Sequence, residues 1–75
     1  EKSTHIDVIN EIITFLRENN LRIISLSYSP VKGPEGNIEY LVYFTKENDF
    51  KETFIDEDII NIVNSSHCEL NGEEL

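Results

Sequence analysis

A single cysteine, Cys68, leaves the chain unable to close a disulfide within itself, and no Cys/His grouping has the spacing of a zinc site. That pattern suits a reducing, cytoplasmic setting. No apolar run approaches the roughly 18 residues that mark a membrane-spanning helix, and no signal peptide is visible. Basic residues are also scarce. Six Lys and Arg stand against 15 Asp and Glu, a formal charge of −9. Such a surface repels phosphate backbones and anionic membranes, which argues against nucleic-acid binding by this chain alone. Solubility is the plain reading of the charge. The sequence opens at Glu1 and not at a methionine, as a piece cut from something longer would.

With 75 residues, the chain makes one domain at most. A core of that size is marginal without a metal, disulfides or a partner, and a partner is the remaining route to stability.

Residues 4–19 read as an amphipathic helix capped by Ser3 or Thr4, with Asp7 in its first turn. Ile6, Ile9, Ile13 and Leu16 recur at helical spacing with Ile12 beside them, and Val8 and Phe15 widen the apolar face to about half the circumference. Asn20 can end it in the left-handed conformation. A strand follows over 21–28, with Ile24, Leu26 and Tyr28 on one face and Ile23, Ser25 and Ser27 on the other. Pro30 ends it, and Pro30 and Pro34 stiffen a loop that turns on Gly33 and Gly36.

The second strand, 38–45, is apolar on both faces: Ile38, Tyr40, Val42 and Phe44 on one, Leu41 and Tyr43 with Glu39 on the other. Strands of that kind are normally covered on both sides. A helix over 56–70, capped by Asp56 and followed by Gly72, is expected to cover the second side with Ile59, Ile60, Ile62 and Val63. The fold class is α/β, or α+β in isolation: helix, antiparallel hairpin, helix, with the last five residues a frayed tail.

Glu39 is the residue of chemical interest. A carboxylate on a strand with two apolar faces either meets water at an edge or is kept for chemistry, because unpaired burial costs several kcal/mol or forces protonation. Physics alone favours a solvated strand-end residue. The loop is not a phosphate loop, since it lacks the Gly-x-x-x-x-Gly-Lys-Ser/Thr order and joins strand to strand. Lys32 reads as solvated. His5 and His67, about 60 residues apart on different helices, read as surface residues and not as ligands or as partners of Cys68. Tyr28, Tyr40 and Tyr43 read as core aromatics, because no basic residues interleave with them as in a base-stacking platform.

The stretch "SPVKGPEGNIEYL" at 29–41 resembles the C-terminal signature of the TlyA-type, haemolysin-labelled members of the FtsJ-like RNA ribose methyltransferases. That family's S-P-x-x-G-x-x-G-N-x-E loop is matched here at Ser29, Pro30, Gly33, Gly36, Asn37 and Glu39. The flanking "HIDVINEIITFLRENNLRIISLSY" and "IVNSSHCEL" are similar to its last helix, penultimate strand and closing helix.

The resemblance implies a Rossmann-like methyltransferase sheet, closed by an antiparallel strand at 38–45 with a neighbour on each edge. It implies methylation of a ribosomal RNA 2′-hydroxyl from S-adenosylmethionine by a Lys-Asp-Lys-Glu set. Of that set only Glu39 is matched, in a role of holding and tuning a lysine. The cofactor loop, both lysines, the aspartate and the family's RNA-binding domain have no counterpart here.

The chain is therefore expected to be the C-terminal segment, 1–75, of such an enzyme. Alone it should be inactive and bind neither cofactor nor metal, and the open edge of 38–45 should pair it into a homodimer. A second reading is a small acidic adaptor that binds a basic partner. A third, membrane lysis, has no basic amphipathic or membrane-spanning segment to carry it.

Overall fold

The computed structural model describes residues 1–73. It runs helix, strand, strand, helix: α1 (Lys2–Glu18), β1 (Arg22–Tyr28), β2 (Tyr40–Thr45) and α2 (Asp56–Asn71). This is the expected order, as a small α+β unit built on one two-stranded antiparallel sheet.

α1 starts earlier than the sequence suggests. Lys2 is already helical, and Glu1 holds the cap position without a side-chain bond to the helix backbone, its carboxylate accepting instead from Ser3 Oγ at 3.2 Å. Ser3 and Thr4 therefore lie inside the first turn and do not cap it, and Asp7 falls beyond that turn. The helix ends at Glu18 with Asn19 at the cap position, and Asn20 beyond it takes a left-handed φ of 63°. The Asn20 amide donates to the Arg17 carbonyl and the Leu21 amide to the Leu16 carbonyl, 3.0 Å each, which satisfies two carbonyls the helix leaves open.

α2 begins one residue after its cap position, Ile55. Asp56 is thus the first helical residue and not the cap. Asp58 Oδ2 reaches back to accept from the Ile55 amide at 2.8 Å. Asp56, Glu57 and Asp58 all sit in the first turn, where carboxylates offset the positive end of the helix dipole.

In the sheet Tyr28 pairs with Tyr40, Leu26 with Val42, Ser25 with Tyr43 and Ile23 with Phe44, so Ile24 is left over as a bulge. An extra residue moves every later side chain to the opposite face. The strict alternation expected for β1 is corrected by that one residue. Ile23 joins Leu26 on the inner face and is fully buried, while Ile24 is 44% exposed.

Both helices lie on this inner face. Ile9, Ile13 and Leu16 of α1, Ile23 and Leu26 of β1, Phe54, and Ile59 and Val63 of α2 form a single cluster. Full burial of a side chain such as Ile13 or Ile59 contributes about 1.5–3 kcal/mol. α2 consequently does not cover the second face of the hairpin, and Leu41 and Tyr43 there stay exposed. The reason is the short connection: Phe54 anchors residues 46–55 in the same core, which delivers α2 beside α1.

The helices run antiparallel. Arg17, late in α1, approaches Asp56 at the start of α2 at 3.6 Å, and His5, early in α1, meets His67 late in α2 at 3.0 Å. Glu52 fastens the connection: its Oε2 accepts from Arg17 Nη2 at 2.7 Å and its Oε1 from the Ile23 amide at 2.6 Å. Burial opposes ionisation of Glu52, yet the Ile23 amide, Arg17 and Arg22 together hold its carboxyl below the usual range.

Candidate functional site

The loop joining the strands is a small built structure. The Ser29 amide donates to the Glu39 carbonyl at 2.8 Å, which closes the loop at its base. Farther out the Gly33 amide donates to the Asn37 carbonyl at 2.7 Å and the Gly36 amide to the Gly33 carbonyl at 2.9 Å. Pro34 stands second in that four-residue turn, where its fixed φ fits, and Gly36 takes the left-handed φ of 81° that closes it.

Gly33 is required for a different reason. A Cβ there would lie 2.8 Å from Asn37 Oδ1 and 2.9 Å from Glu39 Oε2. Two side-chain oxygens therefore converge on the space that the missing side chain leaves. Glu39 is exposed and sits one residue before β2 begins, so the strand starts at Tyr40 and not at Ile38. Ile38 is nonetheless buried. The arrangement offers a pair of acceptor oxygens, open to water, of the kind that receives an ammonium or another multiple donor. Lys32 is exposed.

A second polar cluster lies inside the fold. His5 Nδ1 is 3.0 Å from His67 Nε2 and 3.1 Å from the Tyr40 hydroxyl. The Tyr40 hydroxyl is 2.7 Å from Ser66 Oγ, which donates to the Val63 carbonyl at 2.8 Å. His67 Nδ1 meets Glu73 Oε2 at 2.8 Å. Burial and the neighbouring His67 push the His5 pKa down, burial pushes the Tyr40 phenol up, and the hydrogen bond to His67 holds the Glu73 carboxyl low.

The expectation that both histidines are surface residues is thus corrected, since His67 is buried and His5 half-buried. So is the frayed tail in part. Gly72, with φ 70°, turns the chain so that the Glu73 amide donates to the His67 carbonyl at 3.2 Å, bringing its carboxylate to the same residue's ring. Residues 74 and 75 of that tail lie outside the described residues. The signal was in the spacing: His5 precedes Ile9 and Ile13 by four and eight positions, and His67 follows Val63 and Ile59 by the same intervals. Each histidine continues its helix's buried stripe.

Among the described residues no group of three or more His, Cys, Asp or Glu side chains could hold a metal ion, and Cys68 is exposed. No helix among them is long and apolar enough to cross a membrane.

No protein-family model and no curated protein matches the chain. A solved structure does. It is that of a candidate hemolysin from Streptococcus thermophilus. The two superpose with a TM-score of 0.82 at 26% sequence identity, over 96% of this chain and 26% of that one. This chain thus spans about a quarter of the hemolysin-labelled protein it is similar to. The name agrees with the label carried by the family whose signature the loop resembles.

Proposed function

We propose that the chain is the closing C-terminal segment of a TlyA-type, FtsJ-like S-adenosylmethionine-dependent methyltransferase acting on a ribose 2′-hydroxyl of ribosomal RNA, and that Glu39 belongs to its active site. The observation that carries the reading is the convergence of Asn37 Oδ1 and Glu39 Oε2 over Gly33. Three residues of the resembling motif thereby act as one unit, and the acceptor pair they make suits the lysine that Glu39 would hold. The fit to part of a larger hemolysin-labelled protein supports the same reading.

The remainder of the enzyme would supply S-adenosylmethionine binding, the other catalytic groups and RNA contacts. It also has a place to dock. Among the described residues β2 is paired on one edge only, a shallow apolar groove lined by Ile9, Ile12, Ile13, Leu26, Tyr40 and Val42 runs beside it, and Leu41 and Tyr43 face outward. In the isolated chain a second copy would take that edge, giving a homodimer.

The test is methyl transfer to ribosomal RNA by the full-length protein carrying this segment. Glu39→Gln is expected to lower the rate by about 10²–10⁴-fold with cofactor binding retained. An unchanged rate would remove Glu39 from the site. A coding frame upstream of the Glu1 codon without a glycine-rich loop and a Lys, Asp and Lys in order would remove the methyltransferase reading itself.

A further inference from the structure

The hydrogen-bond directions among His5, Tyr40, Ser66, His67 and Glu73 are fixed by counting protons. Ser66 Oγ–H is committed to the Val63 carbonyl, so at Ser66 the Tyr40 hydroxyl must be the donor. Having spent its one proton, Tyr40 can only accept from His5, which places a hydrogen on His5 Nδ1. A carboxylate only accepts, so His67 Nδ1–H donates to Glu73. His67 Nε2 must then be the bare nitrogen that receives the His5 proton at 3.0 Å. Every contact is satisfied with both imidazoles neutral, and His5 Nδ1–H is shared between two acceptors.

One more proton has no comfortable place. On His67 Nε2 it would set N–H against N–H, unless His5 surrendered its own Nδ1 hydrogen and with it the contact to Tyr40. On His5 Nε2 it would put a cation in the first turn of α1, at the positive end of the helix dipole. Burial there disfavours charge further. The other charged neighbours are Lys2, which acts on Glu73, and Glu69, which accepts from Tyr28 at 2.9 Å and ties β1 to α2 separately.

We propose that these five residues form a proton-sensitive clasp, closed while His5 and His67 are both neutral and opened when the pair takes up one further proton. Opening frees the last turn of α2 and the Tyr40 end of β2 from the start of α1. Because Tyr40 follows Glu39 directly, the clasp also sets the footing of the 29–39 loop. The proposal does not depend on the methyltransferase reading.

The experiment is a titration of the full chain, labelled with ¹⁵N in the imidazoles, from about pH 8 to about pH 5. At the upper end both rings are expected to be neutral with the proton on Nδ1. On acidification the His5 ring should take up its proton only below the ordinary imidazole range. Backbone amides of 66–71 should then lose protection, up to about tenfold per unit of pKa difference after correction for intrinsic exchange. An α2 terminus equally protected throughout, whatever the protonation of His5, would overturn the clasp.

His5→Asn keeps a donor near the Nδ1 position and cannot titrate itself, so the pH-dependent loosening should weaken. Glu73→Gln, at the exposed end of the network, keeps an acceptor but removes the anion that favours a cation. It should move the onset of loosening to lower pH. A wild-type onset in Glu73→Gln would count against the proposal even if His5→Asn failed to fold.

Discussion

Glu39 Oε2 lies 2.9 Å from the point a Gly33 Cβ would occupy, with Asn37 Oδ1 on the same point at 2.8 Å. The glycine makes room for side chains and not for a backbone turn, because the left-handed residue of this loop is Gly36. The crowding atoms are the far ends of side chains that can swing away. Gly33→Ala is therefore expected to leave stability within about 1 kcal/mol while driving Asn37 and Glu39 out of their shared position. Thermal unfolding and, on the proposed reading, methyl transfer by the protein that carries this segment separate the two effects when measured side by side. A variant that loses neither would show that the convergence has no role.

The bulge in β1 sets neighbouring isoleucines to opposite fates. Ile23 is fully buried between the helices, so Ile23→Ala should cost about 2–5 kcal/mol. Ile24, half exposed, should cost well under about 1 kcal/mol when cut to Ala. Urea unfolding of the pair reads the register directly. Equal costs would mean that β1 alternates regularly and has no bulge.

Glu52 joins three parts of the chain, accepting from the Ile23 amide of β1 and from Arg17 of α1 while itself standing in the connection to α2. Glu52→Ala should destabilise by about 1–3 kcal/mol, since it strands a backbone donor and an arginine. The pH dependence has a definite sign. The folded carboxyl is held below its ordinary 4.5, so the folded state binds fewer protons than the unfolded chain in that range. Its contribution is therefore present above about pH 4.5 and lost as pH falls through the folded value. Glu52→Gln should flatten the acid limb of a stability–pH curve, and an acid limb of unchanged slope would contradict this account.

His5 carries the opposite charge and the same sign of slope. Its pKa is lowered from 6.5, so the unfolded chain binds the extra proton first and stability falls as pH drops below about 6.5. Thermal midpoints should decline from neutral toward mildly acidic pH in the wild type and decline less in His5→Asn. Equal declines would assign the slope to other groups.

Leu41 and Tyr43 face away from both helices. If a second copy covers them and the β2 edge, light scattering should give a dimer, and Tyr43→Lys should return a monomer with little loss of monomer stability, because a charge on an open strand edge opposes pairing. A wild-type monomer at high concentration would rule the homodimer out and leave the edge to the remainder of a longer chain.

Much of the local structure was determined by the sequence alone. Periodicity, the two prolines, Asn20 and Gly72 gave four elements in the right order, because these signals act within a turn or two of the chain. The loop motif was legible as a pattern and Gly36 does turn the chain, but Gly33, also expected to turn it, instead leaves room for Glu39. Three features were decided only by tertiary structure. The bulge at Ile24 exists because pairing with β2 and burial against two helices together reward placing Ile23 and Leu26 on one face. Covering one side of the sheet and leaving the other bare follows from Phe54 and Glu52, which hold the connection to the same core as α1. The histidine cluster depends on antiparallel helices bringing the first turn of α1 to the last turns of α2. No local pattern encodes a meeting of residues 62 positions apart. Only the folded chain excludes enough water there for a single proton to matter.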